Sequence, residues 1–419
     1  MSGWYDTRRS FLKGAALAGA TVAGLPVAGS AAAAARGGLD RADELFEQGD
    51  FPAADRLYRK ALVRDPGHTH ALAQHAYVLM LAGRLKEARR QLVRVLKAEP
   101  SHALSLRNLA CTLWRLDAFE ELASVLPEVK DGGPSATVGQ LKSFAGREPY
   151  RIEGPRSSRV RFLTDTPLPM VEVSLNGGDP VVFFIDTGAM CAVNEDYAEQ
   201  ARVPTYGWTM GRTVYGDFKA YHGRADLLAL GDMKIRDVPV HTLPADGPTA
   251  SMRAPDGRYA KGVIGTSVLS HFLASIDYPG QALVLRKKGT AMHGAVSTPL
   301  WFAGDHFLLG HGTVNGTGPM VFLVDTGGAG TGFTAPDATY TQAGITVPPG
   351  EGPHEVTVDR LTLGRAARRD VPGRAGVFPQ MLEDAFGFGI GGLITHRFFQ
   401  AYTLTFDFDR MRILLDGPS

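Results

Sequence analysis

Cysteine is nearly missing: Cys111 and Cys191 are the only two in 419 residues, too few for a disulfide framework. They fall in segments of different character, so two separate buried thiols are expected rather than a bridge. Net charge is equally scant. A formal +1 from 44 basic and 43 acidic residues gives no general field to gather nucleic acid or anionic lipid. H-E-x-x-H, Cys/His clusters, G-x-S-x-G and a P-loop are all missing, which argues against a metal hydrolase, a nucleophile-elbow hydrolase and an NTPase. What the chain has in quantity is turn-formers, 50 glycines and 26 prolines, and these point to a largely β portion.

The N-terminus reads as an address rather than structure. Thr7-Arg8-Arg9-Ser10-Phe11-Leu12-Lys13 precedes a weakly apolar run, 14–29, and then alanines at 31–35. The pattern resembles a twin-arginine export signal over 1–36. The alternative is a membrane anchor, but the run is rich in Gly and Ala and falls short of the ~20 strongly apolar residues a span requires. No later segment fits a span either, and no Cys follows the signal to carry a lipid. A mature protein outside the cytoplasm, periplasmic or extracellular and without stable membrane insertion, is therefore expected.

Residues 37–130 carry a helical repeat. Phe51, Leu85 and Phe119 recur at a 34-residue period, as do Gly49 and Gly83, Ala54 and Ala88, and Pro66 and Pro100. Apolar residues at helical spacing fill the intervals, for instance Ala54, Leu57, Tyr58, Ala61 and Leu62. This resembles tetratricopeptide repeats, helix pairs that stack because none buries its apolar face alone. They could serve as a buttress for the C-terminal part of the chain or as a groove for a protein partner, and both readings stay open at this point. Around 131–158 the helical period fades into Gly- and Pro-containing sequence, read as a linker.

From 159 the pattern turns β, and it occurs twice. Asn176-Gly-Gly-Asp-Pro180-Val-Val-Phe-Phe-Ile-Asp186-Thr-Gly188 is matched by Asn315-Gly-Thr-Gly-Pro319-Met-Val-Phe-Leu-Val-Asp325-Thr-Gly327. Pro169–Leu175 and Val181–Ile185 read as a hairpin through Asn176-Gly177, and Phe307–Val314 and Met320–Val324 as its twin through Asn315-Gly316. Downstream, Leu230-Gly231 with Asp237-Val238-Pro239 is matched by Leu363-Gly364 with Asp370-Val371-Pro372. Ile264-Gly265 with Phe272 is aligned to Ile390-Gly391 with Phe398, and Asp277-Tyr278 before Leu283 to Asp407-Phe408 before Ile413. So many landmarks in one order indicate two copies, 159–288 and 289–419.

Asp-Thr-Gly alone is a polar turn at a strand end. Paired within a duplication and followed by apolar-apolar-Gly (Val263-Ile264-Gly265, Gly389-Ile390-Gly391), it resembles retropepsin-like aspartic proteases with two lobes fused in one chain. The resemblance implies a multidomain protein: a short all-α repeat domain, then an all-β bilobal acid-protease (retropepsin/pepsin-like) fold, monomeric because the lobes pair within the chain. It implies Asp186 and Asp325 as a catalytic dyad acting on a peptide or protein substrate, with no cofactor and no metal. Thr187, Gly188, Thr326 and Gly327 would support the two loops.

Physically, two carboxyls sharing a site cannot both ionise, so one holds the proton while the other activates water. After Gly the family's hydroxyl is missing, since Ala189 and Gly328 stand there. Fewer hydrogen bonds to the ionised form should leave the pair's pKa values higher and the activity optimum near weakly acidic or neutral pH. A Gly328-Ala329-Gly330 continuation should also make the second loop more flexible. The substrate-covering flap is expected from the first lobe, with Tyr215 and Gly216 as candidate substrate contacts. His271 and His396 read as surface or helix-end residues. The rival functions are an inactive acid-protease fold kept as a binding module, with the repeats recruiting a partner, and a homodimer in which lobes pair between chains.

Overall fold

The computed structural model describes residues 39–126, 136–213, 216–245, 247–290, 292, 296–350, 352–379 and 381–417. The twin-arginine segment and Tyr215 lie outside the described residues. The chain is a helical-repeat region followed by an all-β bilobal fold. No helix among the described residues is long and apolar enough to cross a membrane.

Three antiparallel helix pairs open the chain: α1 (Asp40–Glu47) with α2 (Phe51–Arg64), α3 (Thr69–Leu81) with α4 (Leu85–Ala98), and α5 (Ala103–Arg115) with α6 (Phe119–Val125). The 34-residue landmarks Phe51, Leu85 and Phe119 each begin the second helix of a pair. Gly49 and Gly83 fill the turn before it with φ of +79° and +72°, and Asp117 takes the same role in the third pair. Second helices bury one stripe each, Phe51, Ala54 and Tyr58 in α2 and Ala88, Leu92 and Val95 in α4. By contrast α3 is buried from Leu72 to Leu81 except Gln74, because it packs on its neighbours and also on the second lobe. The stretch 131–158 is not bare linker: it holds α7 (Ala136–Lys142), the strand Arg151–Glu153 and the start of Ser157–Arg161.

Each lobe is built on a hairpin. Asn176 and Gly177, and Asn315 and Gly316, all have positive φ, as a tight two-residue hairpin turn requires. The Asn side chains have a second task. Asn176 accepts from Leu227 N–H at 3.0 Å, and Asn315 from Arg360 N–H at 2.9 Å, so each turn is pinned to a third strand. The other landmarks are also backbone specials: Gly231 and Gly364 (φ +58° and +57°), Asp237 and Asp370 (φ +53° and +52°).

The lobes share a six-stranded sheet, ordered Val296–Pro299, Arg412–Asp416, Thr403–Asp407, Phe272–Asp277, Ala282–Lys287, Ser157–Arg161. Its central pair joins the two copies antiparallel, Ser275 opposite Thr405, with their hydroxyls 2.6 Å apart. The first lobe also has a long hairpin, Thr205–Thr213 with Gly216–Leu230, which places Gly216 at its tip opposite Thr213. The second lobe has no counterpart to it among the described residues.

Repeats and lobes form one continuous apolar core. Phe388 of the second lobe sits among Phe46 and Phe51 at 5.7 and 5.0 Å, and Phe51 meets Trp301 at 5.0 Å. Polar bonds close the seam: Tyr77 hydroxyl donates to Phe386 O at 3.0 Å, and Gly389 N–H to Glu47 O at 2.8 Å. Cys111 and Cys191 are buried free thiols in separate modules.

Candidate active site

Val181–Asp186 runs apolar without alternation because both its faces are buried, and it is paired on both edges, antiparallel by Met170–Leu175 and parallel by Gly262–Gly265. The strand delivers Asp186 opposite Gly265. In the second lobe Thr317–Asp325 lies between Phe307–Val314 and Gly392–Thr395, delivering Asp325 opposite Thr395. The two Asp-Thr-Gly turns meet at the pseudo-twofold axis.

There the backbone and hydroxyls interlock. Thr187 N–H donates to Thr326 Oγ1 at 3.0 Å, and Thr326 N–H to Thr187 Oγ1 at 3.0 Å. Each hydroxyl then donates across the axis, Thr187 to Val324 O at 2.8 Å and Thr326 to Ile185 O at 3.5 Å. Both threonines are fully buried. Gly188 N–H donates to its own lobe's Asp186 Oδ1 at 2.7 Å, and Gly327 N–H to Asp325 Oδ1 at 2.8 Å. The glycines are obligatory for another reason. A Cβ on Gly188 would lie 2.7 Å from Asp325 Oδ1, and one on Gly327 2.2 Å from Asp186 Cγ. Each bare backbone makes room for the carboxyl of the other lobe.

Asp186 and Asp325 are 2% and 5% exposed, and their carboxyls are in hydrogen-bonding contact. Burial pushes both above the usual carboxylate range, Asp186 well above it because Asp325 adds like-charge repulsion. The Gly327 N–H, the bond from Asp186 and the His306 ring pull Asp325 the other way. The two carboxyls titrate as one unit, with a single proton held between them.

Two features of this floor differ from the sequence reading. The second-lobe counterpart of Val263-Ile264-Gly265 is Leu393-Ile394-Thr395, set by the pairings Ile185 to Ile264 and Val324 to Ile394. The alignment to Gly389-Ile390-Gly391 was four residues early, drawn there by a second apolar-Gly run in the same segment. The correction also explains Gly328. A Cβ there would lie 2.5 Å from Thr395 Cγ2, whereas in the first lobe Gly265 has no side chain and the Ala189 and Met190 backbone closes over it, Ala189 O lying 2.2 Å from where its Cβ would be. Thr395 Oγ1 donates to Thr331 O at 2.7 Å, so the second loop is packed and bonded rather than loosened by its glycines.

Sequence reasoning missed three residues. Thr266 donates to Thr187 O at 2.8 Å beneath the first loop, as Thr395 braces the second. Buried Asp305 and His306 lie 2.6 Å apart (Oδ1 to Nδ1) in the turn before the strand Phe307–Val314. The hairpin registers align His306 with Pro167 of the first lobe, so the duplication held no signal for it. Of the histidines expected at surfaces or helix ends, His271 is half-buried and His396 buried, at the head of the short helix His396–Phe399. No group of three potential metal ligands occurs among the described residues.

Residues 171–268 match the family model of an aspartyl protease, and residues 45–109 that of a tetratricopeptide repeat. The first match spans the Asp186 hairpin and ends in the Val263–Ser267 floor. No curated protein matches the chain.

Proposed function

We propose that this chain, whose first lobe is similar to aspartyl proteases, is an exported aspartic endopeptidase that hydrolyses peptide bonds with Asp186 and Asp325. One observation carries the reading: two buried carboxyls in mutual contact, each bonded to its own glycine N–H, across a mirrored threonine lattice. A carboxyl pair fixed this way divides the labour of acid and base.

In the proposed step the ionised member of the Asp186–Asp325 pair takes a proton from a water held between the carboxyls, and that water attacks the scissile carbonyl. The protonated member donates its proton to the carbonyl oxygen as the tetrahedral adduct forms. The carboxyl protonated by the water then hands that proton to the leaving amine as the C–N bond breaks, while a hydroxyl of the adduct returns a proton to the other carboxylate, which restores the pair. The hairpin 205–230 is the flap of this reading, with Gly216 at its tip beside Tyr215. The lobes pair within one chain, which supports action as a monomer. The Arg8-Arg9 segment supports export by the twin-arginine route to the periplasm or beyond.

The test is digestion of a mixed peptide library across pH 2–8 by the purified protein, by Asp186→Asn and by Asp325→Asn. Cleavage is expected from the parent alone, with either substitution lowering the rate about 10²–10⁴-fold. The raised carboxyls support an optimum at weakly acidic or neutral pH. Equal cleavage by all three proteins would remove the dyad assignment, and a peak around pH 2 would remove the electrostatic argument. Binding of peptides without cleavage by any of the three would favour the binding-module alternative.

A further inference from the structure

Where the repeats meet both lobes there is a cleft of about 110 Å³, far larger than the ~10–15 Å³ that one water needs. All three modules line it: Trp114, Arg115 and Asp117 from the end of α5, Ser267 and His271 from below the first-lobe loop, and Phe302 and Asp305 from the second lobe. Lys288 stands at its rim, its side chain half-exposed.

The charges in this cleft are unevenly satisfied. Both carboxylates have a histidine partner: Asp117 Oδ2 lies 3.0 Å from His271 Nε2, and Asp305 Oδ1 2.6 Å from His306 Nδ1. The cations do not fare as well. Arg115 donates to two backbone carbonyls, Met80 O at 3.1 Å and Phe302 O at 2.8 Å, and stacks on the Phe302 ring at 3.8 Å. No carboxylate within salt-bridge distance of it is found among the described residues, and burial lowers its pKa. Among the described residues the one carboxylate at salt-bridge distance from Lys288 Nζ is Asp409 Oδ1, at 4.0 Å. Asp305 acts on the Arg115 guanidinium only from beyond salt-bridge distance, its direct bonds go to carbonyl dipoles, and an Arg fork suits a carboxylate in two-point contact. Trp114, Leu85, Phe408 and Met411 give the wall an apolar part, beside the polar groups of Tyr150, Ser267 and Ser270.

We propose that this cleft is a binding site for a small carboxylate on an apolar body, the chemistry of the C-terminal residue of a peptide. Arg115 and Lys288 hold the carboxylate, and the aromatic and aliphatic wall holds the side chain. The site is separate from the dyad but shares a wall with its floor. Ser267 Oγ accepts from Cys191 N–H at 2.8 Å, and the preceding Thr266 bonds the Thr187 carbonyl. An occupant therefore presses on the segment that carries the Asp186 loop.

Binding is measured by isothermal titration calorimetry on the full protein carrying Asp186→Asn and Asp325→Asn, so that the result does not depend on peptidase activity. The probes are N-acetyl-L-leucine, its amide and inorganic phosphate. Saturable binding of the acid, with the amide and phosphate each at least tenfold weaker, is expected. Arg115→Met should weaken the acid about tenfold or more. Lys288→Glu lies on the rim, cannot unsettle the fold, and should weaken it by a similar factor. The proposal is overturned by any of three results: no saturable heat with the acid, an amide or phosphate that binds as tightly, or an affinity unmoved by Lys288→Glu.

Discussion

The threonine lattice at the axis makes a quantitative, asymmetric prediction. Thr187→Val and Thr326→Val keep the side-chain shape and remove one hydroxyl each. In Thr187→Val the buried Thr326 N–H loses its acceptor at 3.0 Å, and Val324 O loses a donor at 2.8 Å. In Thr326→Val the buried Thr187 N–H is orphaned in the same way, but the second bond lost, to Ile185 O, is a long one at 3.5 Å. An orphaned buried donor costs about 1–3 kcal/mol, and an ordinary hydrogen bond contributes about 1. Thr187→Val should therefore destabilise by about 2–4 kcal/mol and Thr326→Val by about 1–3, with Thr187→Val the larger of the two. Urea unfolding followed by tryptophan fluorescence reads this directly, because Trp114 and Trp301 sit at the seam between repeats and lobes. Peptide cleavage should fall in the same order, since the lattice sets the spacing of the carboxyls. If Thr326→Val is the costlier change, or both lie within about 0.5 kcal/mol of the parent, the hydrogen-bond argument is wrong.

Two further perturbations test the site's packing and charge. Gly328→Ala drives a Cβ into the Thr395 side chain and should destabilise by about 1–3 kcal/mol, whereas adding Thr395→Gly removes the clashing atoms and should recover part of the loss; a double-mutant cycle with purely additive costs would sink the steric argument. Burial raises the Asp186 carboxyl in the fold, so its contribution to stability is fully present below the unfolded Asp value of about 3.9 and is lost as pH rises through the folded value. Asp186→Asn stays neutral throughout, and it should therefore be more stable than the parent at pH 7 but not at pH 3, a difference that thermal unfolding at the two pH values would show or refute.

What the sequence made legible was mostly backbone necessity. Asn176-Gly177 and Asn315-Gly316, Gly231 and Gly364, Asp237 and Asp370 all occupy positive φ, a conformation few residue types adopt readily. Such positions keep their identity in both copies, so the duplication could be traced through them. The 34-residue period was legible for the same kind of reason, because each landmark begins a helix or bends the turn before it. Packing was less legible. Thr395 stands where the first lobe has Gly265, against a bare Gly328, and a glycine replaced by threonine hides from any comparison that asks for the same residue at the same offset. His306 was beyond reach altogether, since it acts on Asp325 through space while its counterpart position holds Pro167.

The placement of the repeats also needed the structure, because amphipathic helices show that a face is buried but not by what. Tetratricopeptide repeats are a protein-interaction architecture, and here the inner helices α1, α3 and α5 interact in cis. Tyr77 and Arg107 bind carbonyls at Phe386 and Ala385, and Arg115 binds Phe302 O. The face a partner would use is thus taken up by the second lobe, which leaves the outer sides of α2 and α4. α7 carries the contact on to the first lobe: Gln140 Nε2 donates to Gly223 O at 2.6 Å, within the hairpin strand Gly216–Leu230, and His222 of that strand bonds Thr209 at 2.8 Å. The helical region therefore grips one lobe through its core and the base of the other lobe's hairpin through α7. Rigid support on both sides of the axis is what a carboxyl pair in hydrogen-bonding contact demands, because small displacements of a preorganised site are expensive in rate. The buttress and the groove are in this sense one surface, and the protein's own β lobe is the ligand it holds.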